Sequence, residues 1–302
     1  MNLTILGCHS ATPRVDTNPT AQILEIRNHN FLIDCGEGTQ VQLRNNRIKF
    51  SRIKHIFISH LHGDHYFGLI GLLSTFQLLG RQQELHIYGP KGLREIIELQ
   101  LKLSNSYSTF DLVFHELTSV NSEIILDDEQ VTVRTIPLNH RIYTNGFLFS
   151  EKPGERILLP EEAKKAKVDV AYYRKLKQGF DVINEDGILV KNDEVTLASK
   201  SPKSYAYCSD TFFDESIVPI IKNSTVLYHE STFLDKHERL AEPTGHSTAK
   251  HAAYIAKMAD VRLLILGHFS TRYDDLNLFR EEAETIFRPI ELAADGKKFT
   301  FE

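Results

Sequence analysis

Short apolar runs bounded by polar turns alternate with longer stretches of helical spacing along this chain. LTILG, TAQILEI and NFLID predict strands, and KHIFIS is apolar enough to be a strand buried on both faces. Over 66–79 the apolar residues recur at helical spacing, and Gly80 supplies a stop. ELHIYG predicts another strand and KGLREIIELQLKL a helix, while VTVRTIPLNH alternates as a strand that ends on His140.

The stretch 151–200 breaks this rhythm. It is rich in Lys, Glu and Asp, contains the helix-like LPEEAKKAK and lacks long apolar runs, so it is expected to be an insertion projecting from the core. Core signals resume at SYAYCSDT, STVLYHEST and VRLLILGHF, three strands that each end in a polar cluster. HSTAKHAAYIAKMAD is an amphipathic helix with Ser247 or Thr248 as its N-cap. The order of elements predicts an α/β fold of two packed sheets with helices outside.

Length and composition narrow this further. A chain of 302 residues can form one large α/β domain or two smaller ones, and 41% hydrophobic with 25% charged residues is ordinary for a globular protein with ample core. No apolar run reaches the length of a membrane span, and MNLTILGCHS has no signal pattern, so a cytoplasmic protein is expected. Cys8, Cys35 and Cys208 are far apart and without CxxC spacing, which argues against a disulfide framework. The net charge of −5 argues against broad electrostatic binding of nucleic acid. Two local basic stretches remain, Arg44, Arg47, Lys49, Arg52 and Lys54 in one, and Arg174, Lys175 and Lys177 in the other.

Histidine is the anomaly, with 14 in the chain. His60, His62, Asp64 and His65 crowd into SHLHGDHYFGL at the end of a buried strand. Imidazole and carboxylate are zinc ligands, and a turn after a strand can aim several at one point. His60 and His62 alternate by two and can share an ion, and Gly63 permits the bend that turns Asp64 and His65 toward a second. One loop cannot complete two sites, so further ligands must come from other strand ends: His140, Asp210 and His268 share that context. Among the remaining histidines of the C-terminal half, His229 and His246 sit near these motifs, and His237 and His251 read as exposed.

HLHGDH, with LIDCGEGTQ upstream, resembles the metallo-β-lactamase superfamily. SATPRVDTNPTAQ, PLNHRIYTNGF, CSDT, HEST, GHST and GHFSTRY, in that order, resemble more specifically the ribonuclease Z family of tRNA 3′-processing endonucleases. The resemblance implies a metallo-β-lactamase-like αβ/βα four-layer sandwich with an inserted arm, 1–302 forming a single domain and the arm spanning about 151–195. It implies two Zn²⁺ per subunit, with Mn²⁺ or another divalent ion fitting the same donors. One ion would take His60, His62 and His140 and the other Asp64, His65 and His268, with Asp210 bridging them. Asp34 would orient a ligand histidine.

The implied reaction is removal of 3′ trailers from precursor tRNA by hydroxide attack on the phosphodiester, with Asp64 essential and a 3′-hydroxyl left on the tRNA. The paired His246 and Glu230 would serve the leaving oxygen as a general acid. The arm of one subunit of a homodimer would hold RNA over its partner's site, through Arg174, Lys175 and Lys177, with Arg14 near the acceptor end. Here the arm carries KVDVAYYRK where the family commonly has a glycine- and proline-rich stretch. Two other readings share the ligand motif: a superfamily metallohydrolase acting on a small phosphodiester, lactone or thioester, and a non-catalytic zinc- or RNA-binding module. The basic insertion and GHST favour RNA over the first, and the complete ligand set argues against the second.

Overall fold

The apolar runs pair into two seven-stranded sheets in the computed structural model, which describes residues 1–301. The first sheet is ordered Lys298–Thr300, Asn2–Gly7, Ala21–Ile26, His29–Ile33, Ile53–Phe57, Leu85–Pro90, Leu112–Leu117. The second is ordered Ile290–Leu292, Leu264–Gly267, Val226–Glu230, Ser204–Cys208, Thr144–Glu151, Val131–Leu138, Ile124–Asp127. Each is antiparallel over one part and parallel over the other. Helices cover both outer faces, giving the α/β sandwich expected for a metallo-β-lactamase-like chain.

Side-chain alternation explains why these strands read as apolar throughout. Phe31 and Ile33 point into the core between the sheets, whereas Leu32 points outward under the helices; Phe57 and Ile56 divide in the same way. Phe31, Phe57, Phe147 and Phe149 meet across the sheets with ring centroids 5.2–6.4 Å apart. Burying each such ring is worth roughly 1.5–3 kcal/mol. On the far side, Ala249, Ala252, Ala253, Ile255 and Ala256 form the buried face of helix Ala249–Met258, whose small residues let it lie close to the second sheet. Thr248 is its N-cap, and its side chain accepts from the His251 backbone N–H.

The predicted helix over 66–79 is divided into Gly63–Tyr66 and Gly68–Leu78, so helical structure begins inside the histidine loop itself. The division arises because the junction is tied to a strand end. The Cys35 N–H donates to the His65 carbonyl at 2.7 Å, and the Gly68 N–H donates to the Cys35 carbonyl at 2.9 Å. Glycine at 68 is what permits this approach, since a Cβ there would lie 2.0 Å from the Gly36 carbonyl oxygen.

Over 157–197 the chain forms two small antiparallel ladders, Ile157–Leu158 with Thr196–Leu197 and Val182–Ile183 with Leu189–Val190. Ala163, Val168, Leu176, Val182, Val190 and Val195 form a separate hydrophobic cluster there. Among the described residues no helix is long and apolar enough to cross a membrane.

Candidate metal centre

Both sheets end at one edge of the sandwich, and the polar residues at those strand ends converge. The first sheet supplies His60, His62, Asp64 and His65 from the loop after Ile53–Phe57. The second supplies His140 after Val131–Leu138, Asp210 after Ser204–Cys208 and His268 after Leu264–Gly267. His268 is held at φ 59°, a left-handed conformation that is costly for a residue with a Cβ, at the point where the chain leaves the strand.

The donors form two groups. In one, His62 Nδ1 lies 3.0 Å from His60 Nε2 and 3.2 Å from His140 Nε2, and Asp210 Oδ2 is 3.5 Å from His60 Nε2. In the other, Asp64 Oδ2 lies 3.4 Å from both His65 Nε2 and His268 Nε2, and Asp210 Oδ1 is 3.4 and 3.3 Å from the same two nitrogens. Asp210 thus presents one oxygen to each group. All seven sequence-predicted ligands are brought together.

These residues fit divalent ions on chemical grounds. His65 Nε2 and Asp210 Oδ1 are buried without a hydrogen-bond partner although they face each other, as two ligands aimed at a shared point would. In four of the five histidines the other ring nitrogen has a partner. His65 Nδ1 donates to Asp34 Oδ2 at 2.8 Å and His140 Nδ1 to the Gly245 carbonyl at 2.7 Å. His60 Nδ1 lies 3.0 Å from Ser59 Oγ, and His268 Nδ1 lies 2.9 Å from Thr232 Oγ1. Such partners fix ring orientation and tautomer in metal sites. Asp34 also accepts from the Ser59 N–H and hydroxyl and from the Tyr207 hydroxyl, so this buried carboxylate braces the whole loop.

Electrostatics agree with that chemistry. Burial, reinforced by the neighbouring His65, pushes His60 down to about 4, leaving it neutral and able to donate a lone pair. Burial opposes ionisation of Asp64 and Asp210, but the surrounding histidines overcome it and hold both carboxyls below their ordinary range. Burial disfavours a charged His65, but Asp210, Asp64 and Asp34 around it outweigh that and raise it well above its ordinary value, so the carboxylates of this centre attract positive charge to the point the donors share.

His246 sits beside these groups. Its Nδ1 donates to Glu230 Oε1 at 2.9 Å, and its ring stacks on His268 with centroids 5.3 Å apart. Burial disfavours the imidazolium, but the Glu230 and Asp210 carboxylates outweigh it and raise His246 to about 9. Glu230 is fully buried and also accepts from the backbone N–H groups of Thr211, Thr232 and Ser247. An open cleft of about 760 Å³ is lined by His62, Asp64, Asp210, His246 and His268 together with Arg141 and Arg272.

The two cleft arginines carry no assignment from sequence, although each lies within four residues of a ligand, in NHR and HFSTR. Arg14 is directed elsewhere: its guanidinium meets Asp274 Oδ1 at 2.6 Å and the Tyr273 carbonyl at 3.1 Å. Arg174, Lys175 and Lys177 lie on helix Tyr173–Lys177, away from the cleft lining, and Lys177 pairs with Glu155 at 3.0 Å. His237 and His251, expected to be exposed, are partly buried. Tyr273 Oη is 2.7 Å from His237 Nδ1, and His251 bridges the Thr248 N–H and Glu238. Tyr273 and Glu238 come from other parts of the chain, which helix periodicity does not reveal, while the Thr248 contact belongs to the capping box of His251's own helix. His229 is buried in its strand with Nδ1 donating to the Glu230 carbonyl at 2.7 Å.

A family model described as anti-Pycsar protein Apyc1 matches residues 1–193. Ribonuclease Z of Bacteroides fragilis is 44% identical, over 97% of this chain and 97% of its own. Ribonuclease Z of Cytophaga hutchinsonii is 48% identical, over 98% of this chain and 95% of its own. The crystal structure of human tRNase Z, short form, superposes with a TM-score of 0.71 at 29% identity, covering 99% of each chain. The chain belongs to the family that the Apyc1 model describes over 1–193 and, across nearly its whole length, to the ribonuclease Z family of metallo-β-lactamase-fold endoribonucleases.

Proposed function

We propose that this endoribonuclease removes 3′ trailers from precursor tRNA, using two Zn²⁺ ions, or other divalent ions, held by His60, His62 and His140 and by Asp64, His65 and His268, with Asp210 between them. Bound there, such ions would polarise phosphoryl oxygens and lower the pKa of water so that hydroxide is available near neutral pH. The residues of the chain do the rest. Arg141 and Arg272 offer positive charge to the substrate's phosphates within the cleft. His246, kept protonated by Glu230, gives its proton to the ribose 3′-oxygen as the phosphodiester breaks, leaving a 3′-hydroxyl on the tRNA.

Substrate selection is assigned to the arm. Arg174, Lys175 and Lys177 would contact tRNA phosphates far from the cut, and Arg14, beside the loop that carries Arg272, would lie near the acceptor end. A homodimer would let the arm of one subunit serve the cleft of its partner. The arm's separate hydrophobic cluster supports this reading, because it lets the segment stand away from the sandwich and keep its shape.

The observation that carries the reading is the His246–Glu230 pair opening into the same cleft as the Asp210-bridged donors. His246→Ala is expected to keep its metal content and slow cleavage of a 3′-extended precursor tRNA by about 10²–10⁴-fold, the usual range for a general acid. Unchanged turnover would remove His246 from the reaction. Failure to cut RNA at all, with hydrolysis of a small phosphodiester by the same preparation, would transfer the assignment to a small-molecule hydrolase.

A further inference from the structure

A second kind of donor cluster lies outside the centre just described. Cys8 and His9 follow the strand Asn2–Gly7, and Asp295 lies in the turn between Ile290–Leu292 of the second sheet and Lys298–Thr300 of the first. Cys8 Sγ is 3.5 Å from Asp295 Oδ1 and 3.9 Å from His9 Nδ1, and His9 Nδ1 is 3.9 Å from the same Asp295 oxygen. A point equidistant from the three atoms lies about 2.2 Å from each, within the span of Zn–S bonds of about 2.3 Å and Zn–N and Zn–O bonds of about 2.0–2.2 Å.

Neighbouring residues hold the donors in place. Asp295 Oδ2 accepts from the Asn18 backbone N–H at 2.7 Å and from Asn18 Nδ2 at 2.8 Å, which turns Oδ1 toward Cys8 and His9. The chain at 8–10 is fixed to the strand end that carries His268: the Phe269 N–H donates to the Cys8 carbonyl and the Ser10 N–H to the Phe269 carbonyl. Cys8 is fully buried, while the His9 and Asp295 side chains are 12% and 18% exposed, so the cluster has a closed floor and an open rim. None of its three donors belongs to the dinuclear groups.

We propose that Cys8, His9 and Asp295 form a separate mononuclear site for a thiophilic divalent cation, Zn²⁺, Co²⁺ or Cd²⁺, with a fourth position open to water at the rim. Thiolate, imidazole and carboxylate together select ions of borderline softness over Mg²⁺ or Ca²⁺. Binding replaces the Cys8 S–H···Asp295 hydrogen bond, and the thiol proton leaves to solvent. An ion there ties the first strand to the turn that passes between the sheets, directly behind the loop bearing His268.

Cobalt tests this, because the donors of the dinuclear centre include no sulfur. Co²⁺-loaded protein should show a thiolate-to-cobalt charge-transfer band in the near ultraviolet and one more equivalent of metal than Cys8→Ser, which should lose the band while keeping the metal of the dinuclear centre. His9→Ala, a change at a partly exposed position, should also abolish the band, which covers the case in which the buried Cys8→Ser fails to fold. No band in the wild-type protein overturns the site, as does a band that survives Cys8→Ser and so arises from Cys35 or Cys208. Neither result depends on what the enzyme cleaves.

Discussion

Four histidines stand in a row on neighbouring strands of the first sheet, and they predict how this fold responds to acid. His55 stacks on His86 with centroids 5.0 Å apart, His86 Nδ1 is 3.0 Å from His115 Nε2, and His29 meets His55 edge to face at 6.1 Å. His55 Nδ1 is buried without a hydrogen-bond partner. Burial, together with repulsion from His86 and His29, pushes His55 from 6.5 down to about 4. Because the folded value is depressed, the unfolded chain takes up a proton that the folded one refuses. The stability is fully present above about pH 6.5 and is lost as pH falls from there toward 4. At about pH 5 the loss relative to pH 8 is about 2 kcal/mol for a fully shielded ring, and roughly 1–2 kcal/mol for this half-buried one. Replacing His55 with Phe keeps the aromatic contacts with Phe31 and Tyr88 and removes the proton. Urea unfolding of both proteins at matched metal content, at about pH 8 and about pH 5, reads the effect. His55→Phe should gain roughly 1–2 kcal/mol on the wild type as the pH is lowered between those points. A stability difference that stays the same at both pH values would refute the reasoning.

At the centre, Glu230→Gln removes the charge that holds His246 at about 9, so the alkaline limb of the pH–rate profile should move to lower pH with metal content retained; a uniform fall in rate with an unmoved limb would leave Glu230 a structural role only. Gly68→Ala forces a Cβ to within 2.0 Å of the Gly36 carbonyl, and the melting temperature should report a loss of about 2–3 kcal/mol. Replacing Arg174, Lys175 and Lys177 together with Ala should flatten the dependence of log K for precursor tRNA on log salt by about 2, measured by filter binding; an unchanged slope would remove these side chains from phosphate contact.

The sequence carried most of the centre because each of its parts ends an apolar strand. Each candidate donor from His60 to His268 lies at or just beyond the end of an apolar strand, so the polar residues there stand out. Relations across the fold were not legible. The row His29, His55, His86 and His115 exists only once neighbouring strands pair in register. Cys8 and Asp295 are 287 positions apart and meet because the chain's last strand returns beside its first. Arg141 and Arg272 were hidden by proximity of another kind: each follows a ligand histidine so closely that the histidine absorbs the motif's meaning. The small hydrophobic cluster within 157–197 was hidden by its modest size, being built from single apolar residues such as Ala163 and Leu176 spaced through charged sequence. Likewise the break at Phe67 reflects hydrogen bonding to Cys35, which helical periodicity does not register.

The division of donors between the sheets has a consequence for the lifetime of the molecule. His60, His62, Asp64 and His65 belong to one sheet and His140, Asp210 and His268 to the other, so ions bound among them act as rivets across a seam. Free metal then becomes a variable of folding: a bound ion at 100 times its dissociation constant adds about 2.7 kcal/mol to whatever holds the sheets together. Chelation would slacken the edge where substrate enters while leaving the aromatic interior closed, so that metal-starved enzyme is first cut by proteases at the loops 59–65 and 139–145 rather than throughout. Ions held at that seam would then set how long the fold stays closed around its cleft.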